Sequence, residues 1–306
     1  MTGMELARGY YEEYGRPMIA LQFPRYAARI ACGLAGEGSE CFGFDDQWSR
    51  DHDFGPGFCL WLSDEDEAAV GDALRAAYDR LPGEYRGYRK RNIRTQGDQR
   101  LSALPTSQYY QRFIGLNRAP RTLGEWLRLP ESFLATATNG EVFVDDYGEF
   151  SSIRAQLLPC YPEDIRLKKI ASRAARMGQS GQYNYARARR RGEDVAAGLA
   201  LAEFSRAACS ITYLLHRRYM PFAKWAHRGL RDLAPWTYSQ LRALFQPGSG
   251  AGKQEIIEAI CAQTSQTLRE TGLSDSAGDF LLHHAPEVSA RIRHEGLRGL
   301  PVMSRW

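Results

Sequence analysis

Hydrophobic positions follow two regimes along this chain. Up to about Tyr161, short apolar runs alternate with helical stripes; beyond it, helical spacing is all that remains. Gly57-Phe58-Cys59-Leu60-Trp61-Leu62 is a nearly continuous apolar run, which predicts a strand covered on both faces. Ser63 reads as the N-cap of a helix over Glu65–Leu81, with Val70, Leu74, Ala77, Tyr78 and Leu81 at helical spacing. Earlier, the pattern predicts a helix over 4–15 broken by Gly15-Arg16-Pro17. A second helix is expected from Phe23-Pro24 through Ala31, then a short apolar segment, Gly33–Gly36. A short strand is expected at Leu101–Leu104 and a helix over Thr106–Gly115 that packs through Tyr109, Tyr110 and Phe113. Leu123–Leu129 and Glu131–Ala137 read as short helices. Val142-Phe143-Val144 reads as a strand closed by an Asp145-Asp146 turn.

From Tyr161-Pro162 onward, helices are expected over 163–177, Ala196–Tyr219, Pro221–Leu233, 253–272 and 276–294. Gly178-Gln179-Ser180-Gly181 reads as a break, and Pro247–Gly252 as a linker. The fold class expected is therefore α+β. A small mixed-sheet domain, 1–164, precedes an all-helical domain, 165–306.

Composition narrows the class without naming a chemistry. The 306 residues are 43% hydrophobic and 25% charged, the balance of a soluble globular protein. A net charge of +4 is too mild to imply nucleic acid. The six cysteines are scattered with no C-x-x-C pair, which argues against structural zinc or a disulfide framework and fits a reducing cytosol. The acidic, aromatic start is unlike a signal peptide, and no apolar run reads as membrane-spanning, so a cytoplasmic protein is expected.

Chemistry concentrates in Gly36-Glu37-Gly38-Ser39 and, further on, Ser49-Arg50-Asp51-His52-Asp53-Phe54-Gly55. On a strand, Asp51 and Asp53 share a face while His52 points away. Two carboxylates side by side are costly unless a cation neutralises them. A Gly-Ser turn lets backbone N–H groups approach a phosphate. Together they suggest a metal-bound nucleotide: Asp51 and Asp53 as ligands of Mg²⁺, Gly38 and Ser39 on the terminal phosphates. A calcium loop does not fit, because Gly55 and Leu62 stand where that motif needs other residues.

These residues resemble the signature of the DNA polymerase beta-like nucleotidyltransferase superfamily, and within it an uncharacterised bacterial family. The similarity extends to Gly140–Asp145, Gln182-Tyr183-Asn184 and Pro221–Trp225. The resemblance implies a small mixed sheet flanked by helices and followed by a helical bundle. It implies transfer of a nucleoside monophosphate from a nucleoside triphosphate to an acceptor, with two Mg²⁺ ions. It also implies a third carboxylate from a later strand. The strand at Leu101–Leu104 has no acid, although Asp98 lies just before it, so Asp145 is the candidate. The alternative is a nucleotide-binding protein on the same fold that transfers slowly or not at all.

The stretch Arg166–Arg191 is basic and carries no acid. Tyr183, Arg187 and Arg191 fall on one helical face, where they read as a grip on the triphosphate, as an RNA contact, or as a solvated face. Lys224, beside Trp225, is a further candidate for phosphate contact. Gly248–Gln254 is no phosphate loop, since Pro247 and Gln254 stand at the essential positions. His283-His284 are adjacent and diverge on a helix, a poor metal pair. The acceptor, whether small molecule, protein or RNA, is not written in any motif.

Overall fold

The computed structural model describes residues 1–50, 54–90, 102–246 and 252–303. The chain is α+β and divides into two compact units. The first holds Met1–Pro120 and Phe133–Leu158; the second holds Arg121–Ser132 and Pro159–Trp306. Where the sequence suggested one crossing after residue 164, the chain enters the second unit at Arg121, returns at Phe133, and leaves again at Pro159.

The first unit begins with helix α1 (Gly3–Tyr10), held at its start by a reciprocal capping box between Thr2 and Glu5. The expected break at Gly15-Arg16-Pro17 does not occur. A π-helical turn over Tyr11–Gly15 runs straight into α2 (Arg16–Gln22), with Pro17 in its first turn, where a missing N–H is tolerated. The helix expected from Phe23 to Ala31 is instead a turn followed by strand β1 (Ala31–Leu34). Only one helical turn forms there, Ile30 N–H donating to Tyr26 O, because Ala31 is taken into the sheet opposite Trp61.

Strand β2 (Cys59–Leu62) is buried along its whole length, as its apolar run predicts. It leads into α3 (Asp64–Asp79), capped by the Ser63 hydroxyl on Asp66 N–H. A two-stranded ribbon, β3 (Glu84–Tyr85) with β4 (Tyr88–Arg89), follows. Next come β5 (Ala103–Pro105) and α4 (Thr106–Ile114). Helices α5 (Leu123–Arg128) and α6 (Glu131–Thr138) precede β6 (Glu141–Val144) and α7 (Glu149–Leu157).

The four-stranded sheet has the order β5-β2-β1-β6, with β1 antiparallel to both neighbours and β5 parallel to β2. Alternation splits it into two packed faces. Cys32, Leu60 and Leu62 join Tyr10, Phe58 and Tyr78 on one side. On the other, Trp61 stacks on Phe150 at 3.8 Å and meets the edge of Tyr109. Tyr109, Tyr110 and Phe113 are buried as expected, and each such aromatic contributes about 1.5–3 kcal/mol.

This topology fixes what lies at each edge. The end of β1 lies beside the starts of β2 and β6, and carries the Gly36–Ser39 turn. The opposite edge carries the starts of α3 and α4 and the Asp145–Glu149 turn.

In the second unit, α8 (Glu163–Met177) has the predicted limits. The break expected at Gly178–Gly181 is absent: a π-helical segment, Gly178–Tyr185, carries α8 directly into α9 (Ala186–Arg190). The glycines serve packing. A Cβ on Gly178 would lie 2.8 Å from Leu282 N, and one on Gly181 2.3 Å from the Phe204 ring. Then come α10 (Asp194–Leu215), α11 (Ala223–Leu233), α12 (Pro235–Leu244), α13 (Lys253–Glu270), α14 (Leu281–Ala290) and α15 (Glu295–Arg298). Helix α12, with Pro235 in its first turn, has no counterpart in the sequence expectation. Helix α8 packs against α10 and α14. By length and composition α10 is apolar enough to cross a membrane, and half of that stretch is buried within the protein.

Candidate functional site

The turn at the end of β1 is built from both sides. Gly36 N–H donates to Asn139 Oδ1 at 2.8 Å, and Asn139 Nδ2 donates back to Gly36 O at 2.7 Å. Next to it, Gly140 N–H donates to Cys41 O at 2.8 Å. Gly140 sits at φ +65°, and a Cβ there would lie 1.9 Å from Leu34 O, so a glycine is required. Glu37 pairs with Arg112 at 3.0 Å. Downstream, Asp45 Oδ2 accepts from Gly3 N–H at 2.7 Å, tying the following loop to the start of α1.

Within this frame Gly38 (φ +138°) and Ser39 are half-buried. Among the described residues, their amide N–H groups and the Ser39 hydroxyl have no hydrogen-bond partner. Uncommitted donors on two adjacent residues of a glycine-containing turn suit an anion. The buried carboxylate of Glu40 lies against the Cα of Gly38, where a Cβ would be 2.6 Å from Oε1.

Asp51 and Asp53 lie outside the described residues. The Mg²⁺ implied by the sequence needs clustered oxygen donors. Of these, the described turn supplies Glu37, which pairs with Arg112, and the adjoining Glu40. Among the described residues no group of three or more His, Cys, Asp or Glu side chains is arranged to hold a metal. The described part of the turn thus fits an anion through its donors. A metal there would depend on Asp51 and Asp53.

The structure does not bring Asp145 to this turn. Val144 pairs with Cys32, and Glu141 with Leu34, so Asp145 follows the far end of β6, across strand residues that each advance about 3.3 Å. Both its carboxylate oxygens are committed: Oδ1 accepts from Gly148 N–H at 2.9 Å and Oδ2 from Ser151 N–H at 2.7 Å. It caps α7. Asp64, Asp66 and Glu149 share this far edge. Asp66 is paired with Arg29 at 2.7 Å, and Asp64 accepts from Ser107. Burial, then Asp64, Asp145 and Asp66, hold the Glu149 carboxyl above its ordinary value, with Arg29 opposing.

The basic stretch splits in two. Its first half is structural. Arg166 pairs with Glu163 at 2.6 Å, and Lys168 donates to Leu300 O. Lys169 donates to Leu127 O and Leu129 O, both at 3.3 Å, and sits 4.7 Å from the Tyr161 ring centre. Arg173 meets Ser210 Oγ at 2.8 Å and Glu131 at 3.2 Å. Burial draws the Lys169 ammonium down to about 8. Its second half is exposed. Arg187 donates to Tyr183 Oη at 2.7 Å, and Arg191 follows the last turn of α9. Lys224 is exposed in the first turn of α11, 5.3 Å from the Trp225 ring centre.

Sequence reasoning missed Asn139 and Glu40. Asn139-Gly140 carries a turn signal, but nothing local says which strand end it grips. It also missed a cavity of about 780 Å³ in the second unit, bordered by α10, α11 and α12.

Residues 126–226 match a family described as a domain of unknown function, DUF4037, which bears out the resemblance to an uncharacterised family over that stretch. The match begins after the Gly-Ser turn. No curated protein matches the chain. Among solved structures, it is similar to a nucleotidyltransferase-like protein from Exiguobacterium sibiricum 255-15. That similarity has 11% identity and a TM-score of 0.38, and covers 85% of this chain and 76% of the other. A likeness this slight says nothing about what this chain acts on.

Proposed function

We propose that the chain is a nucleotidyltransferase whose nucleotide site is the Gly36–Ser39 turn. The observation that carries this reading is the set of uncommitted donors on Gly38 and Ser39, held open by Asn139 at the end of β1. These donors would hold the phosphates of a nucleoside triphosphate and orient the chain of phosphorus atoms. The acceptor oxygen forms a bond to the α-phosphorus, the bond to the bridging oxygen of the leaving pyrophosphate breaks, and the acceptor's proton passes to water. Asp51 and Asp53 would hold Mg²⁺, which when bound neutralises charge on the triphosphate and on the departing pyrophosphate.

A second reading rests on Glu40. Its carboxylate against Gly38 repels a phosphate unless a cation lies between them, which favours a protein that binds nucleotide and transfers it slowly or not at all. Incubation with each α-labelled triphosphate, Mg²⁺ and a panel of acceptors separates the two. Label transfer with pyrophosphate release supports the first reading, and saturable triphosphate binding without release supports the second. Absence of triphosphate binding defeats both.

A further inference from the structure

The cavity in the helical unit stands apart from the Gly-Ser turn in sequence and in chemistry. Its wall is apolar where Cys209, Pro221, Phe222, Ala226 and Leu241 contribute. Cys209 is buried, and burial pushes its thiol up to about 12, so it is a neutral part of that wall rather than a nucleophile. A volume of about 780 Å³ is within the range of small-molecule sites.

Two cations border this apolar space. Arg206 of α10 and Arg242 of α12 both line the cavity and are both exposed, which puts them at its mouth. Among the described residues neither guanidinium has a hydrogen-bond or ion-pair partner. By contrast, His227, also in the wall, is committed: its ring stacks on Tyr238, and its Nε2–H donates to Tyr238 O at 2.9 Å. An arginine with no carboxylate at the rim of an apolar cavity is matched by an anion on an apolar body.

The approach to the cavity is apolar as well. Val195 and Leu199 of α10 are 79% and 68% exposed. With Ala202, Arg206 and Cys209 they follow one face of α10, at the i, i+4, i+7 spacing of a helix. The stripe therefore runs along α10 from solvent, past the Arg206 charge, to the cavity wall. An elongated ligand could lie along it without leaving apolar contact.

We propose that this cavity binds an amphipathic acid: an acyl or aryl body inside, with its carboxylate or phosphate at the mouth between Arg206 and Arg242. The site is a property of the helical unit and does not depend on the nucleotidyltransferase reading.

The test uses the full chain with 1-anilinonaphthalene-8-sulfonate as the reporting probe, displaced by decanoate, decyl phosphate or decanol. Decanoate or decyl phosphate should displace the probe at roughly ten-fold lower concentration than decanol, the effect of about one charge-assisted contact. The tighter of the two names the head group. Arg206→Ala with Arg242→Ala should abolish that preference. Ala202→Trp, a plug placed from an exposed position, should weaken all three ligands. A melting curve confirms that each variant is folded. Equal displacement by decanol and both acids in the wild-type protein would overturn the proposal, as would an unchanged preference in the double arginine variant. Failure of all three to displace the probe would overturn it too.

Discussion

Asn139 clamps Gly36 with two reciprocal hydrogen bonds, Gly36 N–H to Oδ1 at 2.8 Å and Nδ2–H to Gly36 O at 2.7 Å. A side-chain amide from the turn before β6 thereby satisfies both backbone groups of the residue that opens the Gly36–Ser39 turn. The clamp leaves the next donors, on Gly38 and Ser39, for a ligand.

Asn139→Ala removes both bonds and leaves a buried backbone donor and acceptor without partners. About 2–4 kcal/mol of stability should be lost, read by urea denaturation. Triphosphate affinity should fall in the variant that remains folded. Asn139→Asp keeps the bond from Gly36 N–H but loses the return bond, and should fall between.

Asp145→Ala should behave as the loss of a helix cap. About 1–2 kcal/mol is expected from the bonds to Gly148 and Ser151 N–H, and label transfer at saturating triphosphate should persist. Loss of transfer from a variant of normal stability would return Asp145 to the catalytic set expected from the sequence.

Glu131 and Arg173 form a buried pair, 4% and 14% exposed at their side chains, with Ser210 Oγ also donating to Glu131 Oε1 at 2.7 Å. Removing either side chain breaks this buried ion pair while the other charge stays buried. Glu131→Ala and Arg173→Ala should each cost about 3–5 kcal/mol, whereas the joint replacement Glu131→Met, Arg173→Met should cost far less than their sum. Chemical denaturation of the three variants checks this.

Lys169 gives the helical unit a pH dependence. Its folded value, about 8, lies below its unfolded value of 10.5, so between those pH values the unfolded chain binds the extra proton. Stability then rises with pH across that window, by at most about 3 kcal/mol from this group. Buried thiols act the other way above pH about 9: Cys160 and Cys209 are pushed up to about 11 and about 12, and both resist ionising in the folded state. The clean comparison is wild type against Lys169→Met at pH 7 and pH 9. The wild type should gain relative to the variant at pH 9; a constant difference would show that Lys169 does not titrate there.

Much of the frame is legible in the sequence because local pattern and tertiary role agree. Strand β2 announces itself by an apolar run buried on both faces, and α8 by the helical pattern that takes over after Tyr161-Pro162, just before its first residue, Glu163. Strand β1 hides because Ala31-Cys32-Gly33-Leu34 is too short to show a period, and because Tyr26, Ala27 and Ile30 imitate a helical stripe. Gly178 and Gly181 read as a break, although they are present so that Leu282 and Phe204 can pass close to a continuing helix. The Gly-Ser turn is visible as a motif. Its partner Asn139, more than a hundred residues on, becomes visible only when β6 is placed beside β1. The same pairing moves Asp145 to the opposite edge, a matter of strand direction that composition and spacing do not encode.

The central claim is that the Gly36–Ser39 turn and Asp51–Asp53 form one nucleotide site. Equilibrium binding of each nucleoside triphosphate with Mg²⁺ to wild type, Ser39→Ala and Asp51→Asn, Asp53→Asn tests it most directly. The account predicts saturable, Mg²⁺-dependent binding by the wild type, at least roughly ten-fold weaker in both variants, each with an unchanged melting curve. Binding that is equal in all three proteins, or insensitive to Mg²⁺, would contradict it.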